Sequence, residues 1–145
     1  MAGLLPLIII AALGGIAITL QAQFMGVMDK NIGTLESMFI TYASGGLMIG
    51  FAMLINKGGN LSAWRSVPWY VLSAGVLGLI IVGTIGYSTQ RLGLVTAFTI
   101  IVGSQFIAGA LLDHFGILGA DLRSLDFTRL AGIGVMLLGV WLIIR

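Results

Sequence analysis

The sequence predicts an all-α membrane protein of five transmembrane helices, and two observations carry that prediction. Apolar residues make up 59% of the chain and charged residues 8%, against roughly 45–50% and about 25% in soluble domains; the mean hydropathy is +1.12. The few charges are also gathered into short connectors. Residues 1–28, 37–56, 66–90, 92–112 and 130–144 contain no Asp, Glu, Lys or Arg. A helix that crosses a hydrocarbon core of about 30 Å needs about 20 apolar residues, with about 17 the lower limit. Four of these stretches qualify outright. The fifth qualifies once Phe127 and Thr128 join it, with Arg129 and Arg145 snorkelling to the interfaces.

Taken in order, the expected helices cover about 3–27, 34–55, 68–88, 94–112 and 127–145, as one membrane domain spanning 1–145. Pro6 lies in the first turn of helix 1, where a missing N–H does no harm. This first run lacks a basic n-region and is too long for a signal-peptide core, so it reads as a retained helix. The turn Asp29-Lys30-Asn31-Ile32-Gly33 leads to helix 2, with Thr34 as its expected N-cap. Asn56–Asn60 is a polar connector. Pro68 opens helix 3, with Trp64, Trp69 and Tyr70 clustered near it as interfacial aromatics. Thr89-Gln90-Arg91-Leu92-Gly93 is a tight turn into helix 4, and the longest polar stretch, Asp113–Asp126, precedes helix 5.

This layout restricts function. Almost no mass lies outside the membrane, so there is no room for a conventional enzyme site, and the chain reads as a non-enzyme. The absence of cysteine removes disulfide and thiolate chemistry. No metal cluster, cofactor motif, phosphate loop or nucleophile triad occurs, and the seven basic residues are scattered over loops rather than gathered into a nucleic-acid patch.

The polar groups inside the spans are the candidate site. Gly103-Ser104-Gln105 places an amide near the middle of helix 4, where no water competes for it. Ser104 and Gln105 read either as an interhelical hydrogen bond, worth about 0.6 kcal/mol on average, or as a midplane solute contact. Gln21 lies about 9 Å beyond the middle of helix 1, at 1.5 Å per residue, and has the same two readings. Glu36 is the acid closest to the inside of a span. It is either a carboxylate stabilised by the positive end of helix 2 or a group that exchanges a proton for the solute. Helix 3 carries Trp69, Ser73, Thr84, Tyr87 and Ser88. Ser73 and Thr84 are eleven residues apart, near three full turns, which predicts one wet face. His114 beside Asp113 reads as a local hydrogen-bond partner at a helix end. Gly132 and Gly139, seven apart on helix 5, form a contact face for another helix.

Charge balance bears on assembly. With the N-terminus on one side of the membrane, that side carries Lys57, Arg65, Arg123 and Arg129, and the other carries Lys30, Arg91 and Arg145. Lys/Arg asymmetry fixes orientation, and four against three is hardly an asymmetry. An odd number of spans with balanced charge predicts insertion both ways. Two such copies make an antiparallel homodimer, the inverted-repeat plan of many transporters. Gln21, Glu36, Thr84, Tyr87, Ser88 and Thr96 then fall in one half of the bilayer, with Gln105 near its middle.

Several of these residues resemble a known family. The tract Gly75–Gly116, with Arg91-Leu92-Gly93, Gly103-Ser104-Gln105 and Leu112-Asp113-His114-Phe115-Gly116, resembles the YdcZ-like family of five-helix bacterial inner-membrane proteins, part of the drug/metabolite transporter superfamily. Gln21-Ala22-Gln23-Phe24-Met25 resembles the family's helix 1 pattern of Gln followed four residues later by Asn, with Met25 at the Asn position here. The helix 5 glycines resemble the dimerising last helix of small multidrug resistance proteins. Those proteins use a helix 1 glutamate that this chain lacks, so their proton coupling does not carry over. The resemblance implies a half-size transporter acting as a dimer in the bacterial inner membrane; the substrate is not implied. The expected partners are lipid, an antiparallel second copy and a small solute. A non-transporting subunit of another membrane protein and a passive pore are the alternatives.

Overall fold

A computed structural model describes residues 3–145. Every regular element among them is helical: α1 (Leu4–Ile32), α2 (Thr34–Ile55), α3 (Ala74–Leu92), α4 (Leu94–Phe115) and α5 (Phe127–Ile144), with short 3₁₀ turns at Leu61–Ser66 and Trp69–Ser73. Five helical segments are long and apolar enough to cross a membrane, Trp69–Leu92 being the third. The chain divides into two compact units, Met1–Arg91 and Leu92–Arg145.

The structure moves several expected boundaries. α1 runs five residues beyond Val27. At 1.5 Å per residue its 29 residues span about 44 Å, so Asp29, Lys30 and Asn31 extend past a core of about 30 Å without breaking the helix. The turn into α2 is Gly33 alone, at φ +103°, a backbone region open to glycine and strained for other residues. Gly33, not Thr34, therefore holds the cap position. Thr34 is already helical, and its hydroxyl donates instead to the Asp29 carboxylate.

Helix 3 starts later than Pro68 as a regular α-helix. Pro68 offers no N–H, the Val71 N–H bonds back to the Pro68 carbonyl in an i→i+3 step, and the Ser73 hydroxyl donates to the Tyr70 carbonyl at 2.6 Å. These local bonds favour 3₁₀ geometry up to Ala74. The expected face shared by Ser73 and Thr84 assumed continuous α-helix, and the 3₁₀ turn at Ser73 breaks that phase. At its other end α3 continues through Thr89-Gln90-Arg91, which was expected as a turn. The Thr89 hydroxyl donates to the Ile85 carbonyl and the Arg91 guanidinium to the Tyr87 carbonyl.

In the first unit, side chains of α1 and α2 seat against glycines of α3. A Cβ added at Gly83 would lie 2.9 Å from Met38 Sδ, one at Gly86 would lie 3.4 Å from Met25 Cε, and one at Gly78 would collide with the Tyr42 hydroxyl. Gly26 of α1 takes Gln90 in the same way. Pairing 42 with 78 and 38 with 83 runs α3 antiparallel to α2. Pairing 25 with 86 and 26 with 90 runs it parallel to α1. Ser37, also buried, donates to the Met25 carbonyl at 3.2 Å and ties α2 to α1.

In the second unit α4 and α5 form an antiparallel hairpin. Gly103 of α4 faces Val140 of α5, 3.3 Å from an added Cβ. α4 ends on Gly116 at φ +59°, with the Gly116 and Ile117 N–H groups both reaching the Leu112 carbonyl, a glycine-terminated helix end. The loop folds back on that end. Arg123 N–H donates to the Asp113 carbonyl at 2.8 Å and Leu125 N–H to His114 Nδ1 at 3.3 Å. Asp126 then caps α5 by accepting from Arg129 N–H at 2.7 Å.

Candidate functional site

Between the Gly103 contact and the loop the two helices of the hairpin line a groove of about 830 Å³. On α4 it is lined by residues 102, 105, 106, 109, 110 and 113, and on α5 by 129, 132, 133 and 136. Both sets follow the three-and-four spacing of a single helix face. Most of that surface is apolar. The polar exceptions are Gln105, an exposed residue toward the end away from the loop, and Asp113 with Arg129 at the loop end.

Asp113 and Arg129 form an ion pair at 3.9 Å, with 42% and 41% of their side chains exposed. The pair follows from the local structure. The last turn of α4 delivers Asp113, the Asp126 cap fixes the start of α5, and Arg129 stands one turn into that helix. The expectation for Arg129 was a solvated interfacial cation. The structure gives it a carboxylate partner instead, because the loop of residues 116–126 brings the two helix ends together. Opposite charges on the two sides of one loop are the sequence signal for this pair.

The predicted residues fare differently from one another. Gln105 faces the groove. Its neighbour Ser104 bonds back to the Ile101 carbonyl at 2.8 Å, which satisfies the hydroxyl within its own helix. Gln21, Thr84 and Tyr87 are exposed on the first unit, and Trp69, at 82% exposure, stacks edge-on against Tyr70. The Tyr87 ring is covered by the Arg91 guanidinium of the next turn, 3.4 Å from its centroid, a cation–π contact. The Glu36 carboxylate folds over its own helix start, with Oε2 2.6 Å from where a Gly33 Cβ would stand. Among the described residues no side-chain hydrogen bond joins any two of Gln21, Glu36, Trp69, Thr84 and Tyr87. Gly132 lies in the groove, and neither Gly132 nor Gly139 has an atom within 4 Å of an added Cβ. Sequence reasoning passed over Gln90, whose amide lies against Gly26.

Residues 6–142 match the family described as "Putative inner membrane exporter, YdcZ". The chain belongs to this family. It is a multi-pass inner-membrane protein, in keeping with its five membrane-length helices. A similar relative is the "Inner membrane protein YdcZ" of Escherichia coli (strain K12), 34% identical over 98 residues, which are 68% of this chain and 59% of that protein. The chain thus spans about three fifths of the length of the curated relative it matches. No solved structure matches it.

Proposed function

We propose that the chain is a half-size secondary transporter, a single five-helix membrane domain that pairs with an inverted copy and moves a small solute by alternating access. The observation that carries this reading is the α4–α5 groove, a mostly apolar cleft lined by Gln105 with a charged pair at its loop end. Polar groups at membrane depth are costly and mark solute pathways. The description of the family as an inner-membrane exporter supports the direction of movement. The near-even split of basic residues supports dual insertion.

In this reading Gln105 contacts solute and Ser104 completes its turn of helix. Gln21, Trp69, Thr84 and Tyr87 add polar surface along the pathway, Gly139 contributes to the contact with the second copy, and Gly132, expected in that contact, instead lines the groove. Glu36 is the coupling group and binds a proton in exchange for solute. Inversion of one copy gives two equivalent states, each open to one side, so alternation follows from symmetry.

The test is transport into proteoliposomes of a solute panel, with and without a pH gradient, by the wild type, Gln105→Leu and Glu36→Gln. The expected outcome is saturable uptake that Gln105→Leu abolishes and Glu36→Gln uncouples from the gradient, since the amide is near-isosteric but does not titrate. Uptake with unchanged pH dependence in Glu36→Gln would remove the coupling role and leave Glu36 as a helix-end carboxylate.

A further inference from the structure

The α4–α5 groove is polar at two levels and bare between them. At the loop end stands the Asp113–Arg129 pair, long at 3.9 Å and about two-fifths exposed on both sides. Such a pair leaves most of its capacity free, since a carboxylate has about four lone-pair sites and a guanidinium five N–H donors. Eight residues along the same face of α4, about 12 Å at 1.5 Å per residue, stands Gln105, which makes no side-chain hydrogen bond among the described residues. Between these levels the floor is Gly109 on α4 and Gly132 on α5, and an added Cβ at either would meet nothing within 4 Å. Phe106 and Met136 line the end away from the loop with apolar surface, Met136 being adaptable in shape.

We propose that the solute taken by this groove is a zwitterionic amphiphile of medium chain length. Its ammonium lies on Asp113 and its oxyanion on Arg129, which matches planar oxyanions with paired N–H donors. Its chain lies over Gly109 and Gly132 and ends at Gln105. Two exclusions follow from the geometry. An amphiphile with one sign of charge engages one member of the pair and leaves the other to water, so it gains one charged contact where a zwitterion gains two. A saturated chain that runs on past Gln105 encloses the amide in hydrocarbon, and an unpaired amide so enclosed costs free energy. The groove therefore selects on both head charge and chain length. This inference names the substrate class of the transporter proposed above and rests on that reading.

The test is calorimetric titration of the full chain in nanodiscs, with empty nanodiscs as the blank. The probes are decylphosphoethanolamine, decyl phosphate, decylamine and hexadecylphosphoethanolamine. The first should bind at least about tenfold more tightly than the other three, and Gly109→Leu should weaken it by about tenfold or more. That variant should fold as the wild type does, because a Cβ at Gly109 meets nothing within 4 Å and the groove lies beyond it; its thermal unfolding checks this. Asp113→Asn or Arg129→Gln alone should also cost about tenfold, while the exchange Asp113→Arg with Arg129→Asp should keep affinity within about threefold. Equal affinity for the three decyl compounds, no penalty for the hexadecyl chain, or unchanged binding by Gly109→Leu would overturn the inference. Binding is read without transport, so the two readings fail separately. Selective binding of a compound that proteoliposomes never move would sink the transporter and leave the groove assignment standing. Transport of other solutes without selective binding here would do the reverse.

Discussion

The two compact units use glycine for opposite purposes. In the first, glycines of α3 are notches that neighbouring side chains enter: Met25 against Gly86, Met38 against Gly83, Tyr42 against Gly78. In the second, Gly109 and Gly132 face space, and of the glycines of α4 and α5 only Gly103, against Val140, would place an added Cβ on a neighbouring helix. Lipid tails are as apolar as leucine, so membrane helices gain little by hiding apolar surface from each other and associate through close packing. Filled notches therefore hold helices together, whereas empty ones leave room for something else. The same residue type marks a structural joint in one unit and a candidate binding surface in the other.

The largest expected effect tests this contrast directly. Gly86→Leu should destabilise the detergent-solubilised protein by about 1–3 kcal/mol, the usual cost of overpacking, because Gly86 is buried and already in contact range of the fully buried Met25, whose Cε lies 3.4 Å from an added Cβ. Gly109→Leu should leave stability within about 0.5 kcal/mol, or raise it slightly through better helix propensity. Thermal unfolding of both variants decides the matter, and equal losses would mean that the groove is a packed joint after all.

Next in size is the start of each unit's second helix. α2 begins on Gly33 with no side-chain cap, whereas α5 begins on Asp126, which accepts from Arg129 N–H. Asp126→Ala should cost about 1 kcal/mol, the typical value of an N-cap. Gly33→Ala should also destabilise, but through strain at φ +103° rather than through a lost bond. Restoration by Asp126→Asn or Asp126→Ser, which keep a capping oxygen, separates the cap from a general charge effect.

A smaller difference separates two serines. Ser37 is buried and bonds across helices to the Met25 carbonyl, whereas Ser104 bonds within its own helix to Ile101. Ser37→Ala should cost about 0.6 kcal/mol, the mean for interhelical hydrogen bonds in membranes. Ser104→Ala should show no measurable change in stability. Equal losses in unfolding experiments would place Ser104 in a contact beyond its own helix.

Much of this contrast could not be read in advance. Charge-free runs located all five spans, because a charged group in hydrocarbon is too costly to scatter. The groove face of Gln105 was half legible, since an amide in an apolar run needs a partner. The notches were not, because Gly83 and Gly109 look alike until a neighbour is placed beside them. Ser73 and Ser104 read as lining residues, but a hydroxyl one turn from a carbonyl satisfies itself locally. The late start of α3 was also hidden: Trp69–Ser73 is as apolar as a helix, and only the bonds made around Pro68 select 3₁₀ geometry.

The smallest expected effect concerns the Asp113–Arg129 pair. A bond at 3.9 Å between side chains about two-fifths exposed loses much of its attraction to water and counter-ions and must also hold two flexible side chains in place. A double-mutant cycle with Asp113→Asn and Arg129→Gln should therefore give a coupling energy below about 0.5 kcal/mol. The loop end of the hairpin has other fastenings, since Arg123 N–H holds the Asp113 carbonyl, Leu125 N–H holds His114 and Asp126 caps α5. None of these needs either charge. If the coupling instead exceeded about 1 kcal/mol, the pair would be a clamp that closes the groove, comparable in role to the filled notches of the first unit. A pair that is weak for stability and yet decisive for binding is what distinguishes a recognition element from a structural one.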